Sequence, residues 1–314
     1  MRPSPPSHGT DRGVGFTLAF GSAACTAIAT IPYKLAATEA PLEVVVVLLL
    51  VSAASLNTIT AIGRTTTTRV RAAGAAPGAP GRAGVSWRIT LWASALSGAL
   101  AAGANVGATE AIARLDPAVA VLLIQLQVGV AATLGWLWLG EPVSRRFVAG
   151  GGLALIGVAG LAGGGLRGEV DAAAVGWGLI GALCFGSLHV VIRRYVERID
   201  LVWTNALRLW IAVGFVVVTS GAAASVEDAP LRIVLLAATA AAIGPFAGRL
   251  MMMRAVRTLP AATSTLFGLA SPVLTVGTAW LFLGTLPSLR EALAGAVVLG
   301  GLVLALTPSR APGA

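Results

Sequence analysis

Eight polar side chains fall inside long apolar stretches of this chain, and they are the groups placed to do chemistry there: Thr26, Asn105, Gln125, Gln127, His189, Arg208, Ser271 and Thr275. Burying a polar group without a partner costs free energy, so each needs a bonded neighbour or a ligand. Amides and hydroxyls can hydrogen-bond a polar solute, a guanidinium can hold an anionic group, and an imidazole can carry a proton. Serine and threonine often bond back to their own helix, which makes the two glutamines the weightier pair. At the helical rise, Gln125 and Gln127 lie about 12 and 15 Å beyond Pro117, near the middle of a bilayer span. Arg208 and His189 sit one to two turns from a span end. There Arg208 either snorkels or binds an anionic group, and His189 either relays a proton or makes a helix contact. No Asp or Glu lies in the central part of any apolar stretch; Glu43, Glu110 and Glu141 are all near ends. A midplane carboxylate relay is therefore not supported. His8 and His189 are the only histidines, and neither has an acidic cluster beside it, so an enzyme's acid, base or metal machinery is not visible. Cys25 and Cys184 lie in apolar runs and offer neither a disulfide framework nor a zinc site. No cofactor is expected.

The elements that hold these groups follow from composition. Hydrophobic residues make up 56% of the 314, and charged ones 11%; a soluble domain carries about 25% charged residues. Mean hydropathy is +0.86. The net charge of +9 does not indicate nucleic acid, because the basic residues are scattered between apolar runs with no interleaved aromatics. A span needs ~20 apolar residues, which predicts spans near 14–33, 41–62, 88–110, 117–139, 147–165, 175–193, 201–223, 231–250, 260–284 and 289–307. The first run ends at Ile31-Pro32-Tyr33-Lys34 without a small-residue cleavage pattern, so it reads as a retained helix rather than a signal peptide. With a cytoplasmic N-terminus, 16 of the 22 basic residues fall on inner segments, Arg249 and Arg193 among them, as positive-inside bias requires. Residues 63–87, rich in Pro and Gly towards their end, read as a cytoplasmic linker. The Ala-, Gly- and Arg-rich composition points to a bacterial inner or plasma membrane.

The chain is also written twice. Arg114, Pro117 and Gly135-Trp136-Leu137-Trp138-Leu139-Gly140 recur as Arg257, Pro260 and Ala279-Trp280-Leu281-Phe282-Leu283-Gly284, and Gly151 and Gly157 recur as Gly295 and Gly301. Five spans per copy is odd, so two tandem copies cross the membrane in opposite senses. The fold expected is an all-α integral membrane protein with ten transmembrane helices in two inverted five-helix repeats. The first repeat covers 14–165 and the second 175–307, joined by an external linker at 166–174. Residues 1–13 and 308–314 are cytoplasmic tails. Gly103 with Gly107, and Gly157, Gly160 and Gly163, are small-residue sets suited to close helix packing. Gln127 and Ser271 occupy equivalent places in the two copies and are expected to contact a solute. Glu141 either gates by pairing with Arg145 or Arg146, or fixes a tight turn before Pro142.

The pattern of a small-residue turn, Pro, an apolar run, Pro-Val, a further apolar run and Leu-Gly-Glu resembles the EamA-type family of the drug/metabolite transporter superfamily. Leu139-Gly140-Glu141 carries its Leu-Gly-Glu element and Ser271-Pro272-Val273 its Pro-Val element; Lys34 and Arg208 also stand at similar positions. Val128 stands where the first repeat would have proline, Thr285 where the second would have glutamate, and span two has no counterpart of Arg208. The resemblance implies a transporter of amino acids or related metabolites, often an exporter. The function expected is alternating-access movement of a small metabolite. The classes weighed against it are an integral membrane enzyme and a structural or regulatory membrane subunit. Expected partners are the small-molecule substrate and membrane lipid, with a homodimer left open and no nucleic acid.

Overall fold

A computed structural model describes residues 10–73, 85–115, 120, 123–162, 171–220, 226–284 and 288–307. Residues 1–9 and 308–314 of the expected tails, Pro117, Gly163, Thr285, linker residues 166–170 and loop residues 74–84 lie outside them. The described residues are all helical or connecting. A chain in hydrocarbon has no water for its backbone groups, and helices satisfy those groups internally. In chain order the elements are α1 (Thr10–Glu39), α2 (Leu42–Ala73), α3 (Trp87–Arg114), α4 (Gln127–Leu134) with a π-turn (Gly135–Leu139), α5 (Arg145–Ala162), α6 (Ala172–Tyr195) and α7 (Leu201–Ser220). The rod that follows is α8 (Leu231–Ala241), a π-segment (Ala242–Gly248) and α9 (Arg249–Thr258). Then come α10 (Ala261–Leu266), a 3-10 turn (Phe267–Leu269) and α11 (Ala270–Leu283) in one rod, and α12 (Leu289–Leu306).

Seven of these helical stretches are long and apolar enough to cross a membrane, and Leu123–Leu139 and Ala292–Leu306 are shorter apolar helices. The chain is a multi-pass membrane protein. Three boundaries differ most from the sequence expectation. Pro32 does not end α1, which runs on to Glu39; proline is tolerated in membrane helices where neighbours relieve the lost bond. α2 continues through Gly63 and Arg64 to Ala73, so residues 63–73 are helix, not linker. Thr65 supports that extension by bonding back to the Ala61 carbonyl at 2.8 Å. The rod expected to stop at 250 continues to Thr258, which places Arg249 inside a helix rather than on an inner loop.

The packing between halves obeys a twofold exchange. If the rods are numbered one to five in each half, the first of one half packs on the third of the other, in both directions. The same reciprocity holds for first with fourth and for second with third, while second, fourth and fifth each meet their own counterpart. This is the contact pattern of the duplicated architecture read from the sequence. Glycines make the tightest crossings. A Cβ on Gly301 would fall 2.5 Å from the Ala154 nitrogen and 2.6 Å from the Gly150 carbonyl, so α5 and α12 touch backbone to backbone. Gly107 of the predicted α3 pair likewise lies against the α6 backbone at Gly181. The repeated Trp-Leu-Trp-Leu-Gly and Trp-Leu-Phe-Leu-Gly strings end alike, with Gly140 at φ 68° and Gly284 at φ 69°. Both are left-handed helix caps, which glycine adopts without a Cβ penalty.

Candidate functional site

A cavity of about 570 Å³ opens between the two halves. That is the size of a small-molecule site. Its described walls come from the first four rods of each half; α5 and α12, paired with each other, contribute nothing to it. Seven of the eight sequence-selected polar residues line it: Thr26, Asn105, Gln125, Gln127, His189, Arg208 and Ser271. Thr275 is not among the lining residues. Its hydroxyl donates to the Ser271 carbonyl of its own helix at 2.9 Å.

Gln125 and Gln127 reach one wall only because the helix is irregular. Residues two apart in a regular helix do not share a face. Between them Leu126 makes a short turn, its N–H bonding the Leu123 carbonyl at 3.1 Å. The Gln127 amide then donates to Gln125 Oε1 at 3.0 Å. The second half breaks at the equivalent point, the 3-10 turn Phe267–Leu269, and there Thr265, Gly268 and Ser271 face the cavity. The two breaks thus turn polar positions of both repeats towards one space. Thr26 and Asn105 also line it, while each bonds its own helix, Thr26 to the Ser22 carbonyl at 2.9 Å and Asn105 to the Ala101 carbonyl at 2.7 Å.

Arg208 is held by a relay across three rods. It is buried, and its Nη2 donates to Asn205 Oδ1 at 2.8 Å. Asn205 Nδ2 donates to Asn57 Oδ1 at 2.9 Å and to the Pro245 carbonyl at 3.1 Å, and Asn57 donates to the Ala53 carbonyl at 2.7 Å. The Pro245 carbonyl is reachable because of the π-segment: the Arg249 N–H bonds the Gly244 and Phe246 carbonyls and bypasses it. Such π-turns recur at functional sites. His189 Nδ1 lies 2.9 Å from the Phe185 carbonyl. A carbonyl only accepts, so Nδ1 bears the hydrogen, and in the neutral ring Nε2 is the acceptor.

Sequence reasoning missed Arg249, Tyr33 and Thr265 in the wall and Asn57 and Asn205 behind it. On the sequence Arg249 falls on an inner segment and Tyr33 at the end of the first span. Lengthening both helices carries them into the walls. Asn57 and Asn205 each stand as a lone amide in an apolar run, and that was a usable signal.

Away from the cavity, Glu141 pairs with neither Arg145 nor Arg146. Its Oε1 accepts from Arg193 Nε at 3.0 Å and its Oε2 from the Ala261 N–H at 2.8 Å. Arg193 Nη1 also donates to the Val256 and Arg257 carbonyls, both at 2.7 Å. One carboxylate of the first half therefore caps α10 of the second, and the arginine it binds caps α9. Glu110 forms a local pair with Arg114 at 2.7 Å on the same helix.

Two comparisons bear on what this arrangement is. The model of the EamA-like transporter family matches residues 13–163 and again 172–307, so one family unit falls on each half. The chain is similar to a protein of known crystal structure, with a TM-score of 0.66 and 19% identity over 96% of this chain and 97% of that one. At that identity the likeness speaks to the fold alone. No curated protein matches the chain.

Proposed function

The chain belongs to the EamA-like transporter family, and from that premise we propose that it moves a small metabolite, an amino acid or related compound, out of the cell by alternating access. The observation that carries this reading is the placement of the cavity. It lies between the halves, walled by four rods from each, with the fifth pair packed outside it as a fixed support. Rocking one half against the other about such a cavity exposes it to each side in turn, the movement that repeat-built transporters use. Polar groups from both repeats, Gln125 and Gln127 in one and Thr265 and Ser271 in the other, offer hydrogen bonds to a solute that leucines could not.

In this reading all ten rods span the inner or plasma membrane and both termini are cytoplasmic. Glu141, Arg193, Val256 and Ala261 then lie at the cytoplasmic end, where the bonds from Arg193 and Ala261 to Glu141 tie the halves together. Opening to the cytoplasm breaks that clamp, and opening outward preserves it. Flux of candidate solutes in proteoliposomes tests the function. The Gln127→Trp protein, which fills the cavity, should fold and lose flux. Undiminished flux in that variant would place the pathway elsewhere.

A further inference from the structure

Arginines drawn into the interior occur in this protein in two states, Arg208 buried and Arg193 and Arg249 partly so, and the contrast is informative. Arg193 is satisfied: a carboxylate and two helix-end carbonyls take its donors. Arg208 is buried, at 8% exposure, yet its Nε has no hydrogen-bond partner among the described residues. Arg249 lines the same cavity, and its Nε is likewise buried without a partner among the described residues. Pro245, one helical turn before Arg249, accepts from the same Asn205 that holds Arg208, so the two arginines line neighbouring parts of one cavity wall. No carboxylate is among the residues described as lining the cavity. Arginine stays protonated in proteins, so this wall keeps its positive charge.

An uncompensated pair of charges in a low-dielectric site is costly, and orphaned buried donors call for an explanation. The supports around Arg208 are built to hold it despite that cost. Asn205 fixes its Nη2, and Asn205 is itself fixed by Asn57 and by the Pro245 carbonyl that the π-segment releases. A guanidinium held at one nitrogen by a second layer of hydrogen bonds, with another donor left unbonded and the group on the cavity wall, is preorganised for a ligand. Guanidinium forks match carboxylate and phosphate oxygens, and such charge-assisted bonds are the strong ones.

We propose that the transported solute carries a net negative charge, with its carboxylate or phosphate group held between Arg208 and Arg249 in the central cavity. The proposal rests on the transport reading above and narrows it. A zwitterion satisfies the arginines with its carboxylate but brings an ammonium group to a wall without a described carboxylate. A cation meets repulsion only. The solute's remaining polar groups fall to the Gln125–Gln127 pair and to Ser271, which line the same space.

The test uses the full chain in lipid nanodiscs and isothermal calorimetry with four probes: succinate, glycerol 3-phosphate, serine and putrescine. Succinate or glycerol 3-phosphate should bind at least tenfold more tightly than serine, and putrescine should not bind. Which anion is preferred separates a carboxylate site from a phosphate site. The Arg249→Gln protein should lose at least tenfold in anion affinity. Arg208→Lys keeps the charge, and with it the folded state, but loses the fork, and should also weaken binding. Serine bound as well as the anions, binding of neither anion, or unchanged anion affinity in a folded Arg249→Gln protein would each overturn the proposal. Proteoliposome flux separates the two readings. Flux of neutral or zwitterionic solutes without anion binding keeps transport and discards the anion site. Anion binding without flux of any probe does the reverse.

Discussion

Removing the Glu141 carboxylate should unlock the end of the protein that the proposed topology places in the cytoplasm, and the size of the effect follows from what the carboxylate holds. It accepts two charge-assisted bonds, one from Arg193 at 3.0 Å and one from the Ala261 N–H at 2.8 Å. The side chains of the pair are only 9% and 12% exposed, so this is not a screened surface bridge. Taking one partner from a buried pair costs about 3–5 kcal/mol. Arg193 keeps its two carbonyl acceptors, Val256 and Arg257, which puts Glu141→Ala at the lower end, about 3 kcal/mol. If the clamp exists only in the state closed to the cytoplasm, that cost is differential. About 3 kcal/mol then shifts the balance towards the inward-open state by roughly a hundredfold. Glu141→Gln still accepts from Ala261 and should shift it less. The assay is labelling of Ser271→Cys, in a background with Cys25 and Cys184 replaced by serine, with a membrane-impermeant maleimide added to inside-out vesicles. Cavity labelling should accelerate strongly in Glu141→Ala and moderately in Glu141→Gln. If Glu141→Ala melts at a lower temperature but labels no faster than its parent, the carboxylate merely holds the fold together and the gating argument fails.

Three further outcomes are expected. Gln127→Leu should weaken substrate affinity by about tenfold, since a hydrogen bond lost in a desolvated site costs ~1–3 kcal/mol; Ser271→Ala should weaken it less, and unchanged calorimetric affinity in both would remove them from the site. Gly301→Val drives a side chain into the α5 backbone at Gly150 and Ala154, so its cost should exceed the ~1–3 kcal/mol of ordinary overpacking, and size-exclusion chromatography in mild detergent should show no monodisperse peak. Single cysteines placed between α2 and α3 and between α7 and α8 should label from opposite sides of the membrane, and labelling from one side would refute the ten-span topology.

The architecture was legible because two requirements leave traces in one dimension. A bilayer demands long apolar helices, and those appear as runs of sequence. A duplicated half needs the same caps and packing faces twice, so Gly140 returns as Gly284 and the Pro117 segment as the Pro260 segment. Most polar positions of the cavity could be read for the same reason: a glutamine or arginine in a hydrocarbon run is expensive wherever it points. Composition and repetition thus determined the helical class, the twofold arrangement and most of the site's polar residues. Tertiary structure alone decided which of them meet. Gln125 and Gln127 share a wall only through the turn at Leu126, a backbone choice with no periodic signature. Arg249 joined the cavity because its helix runs eight residues beyond the expected end at 250. Glu141 had two arginines within five residues and chose a third, Arg193, brought from 52 positions away by the packing of the halves. Spacing along a chain ranks local partners. The partner Glu141 takes is the one that packing delivers as water is excluded, and that neighbour comes from the opposite half.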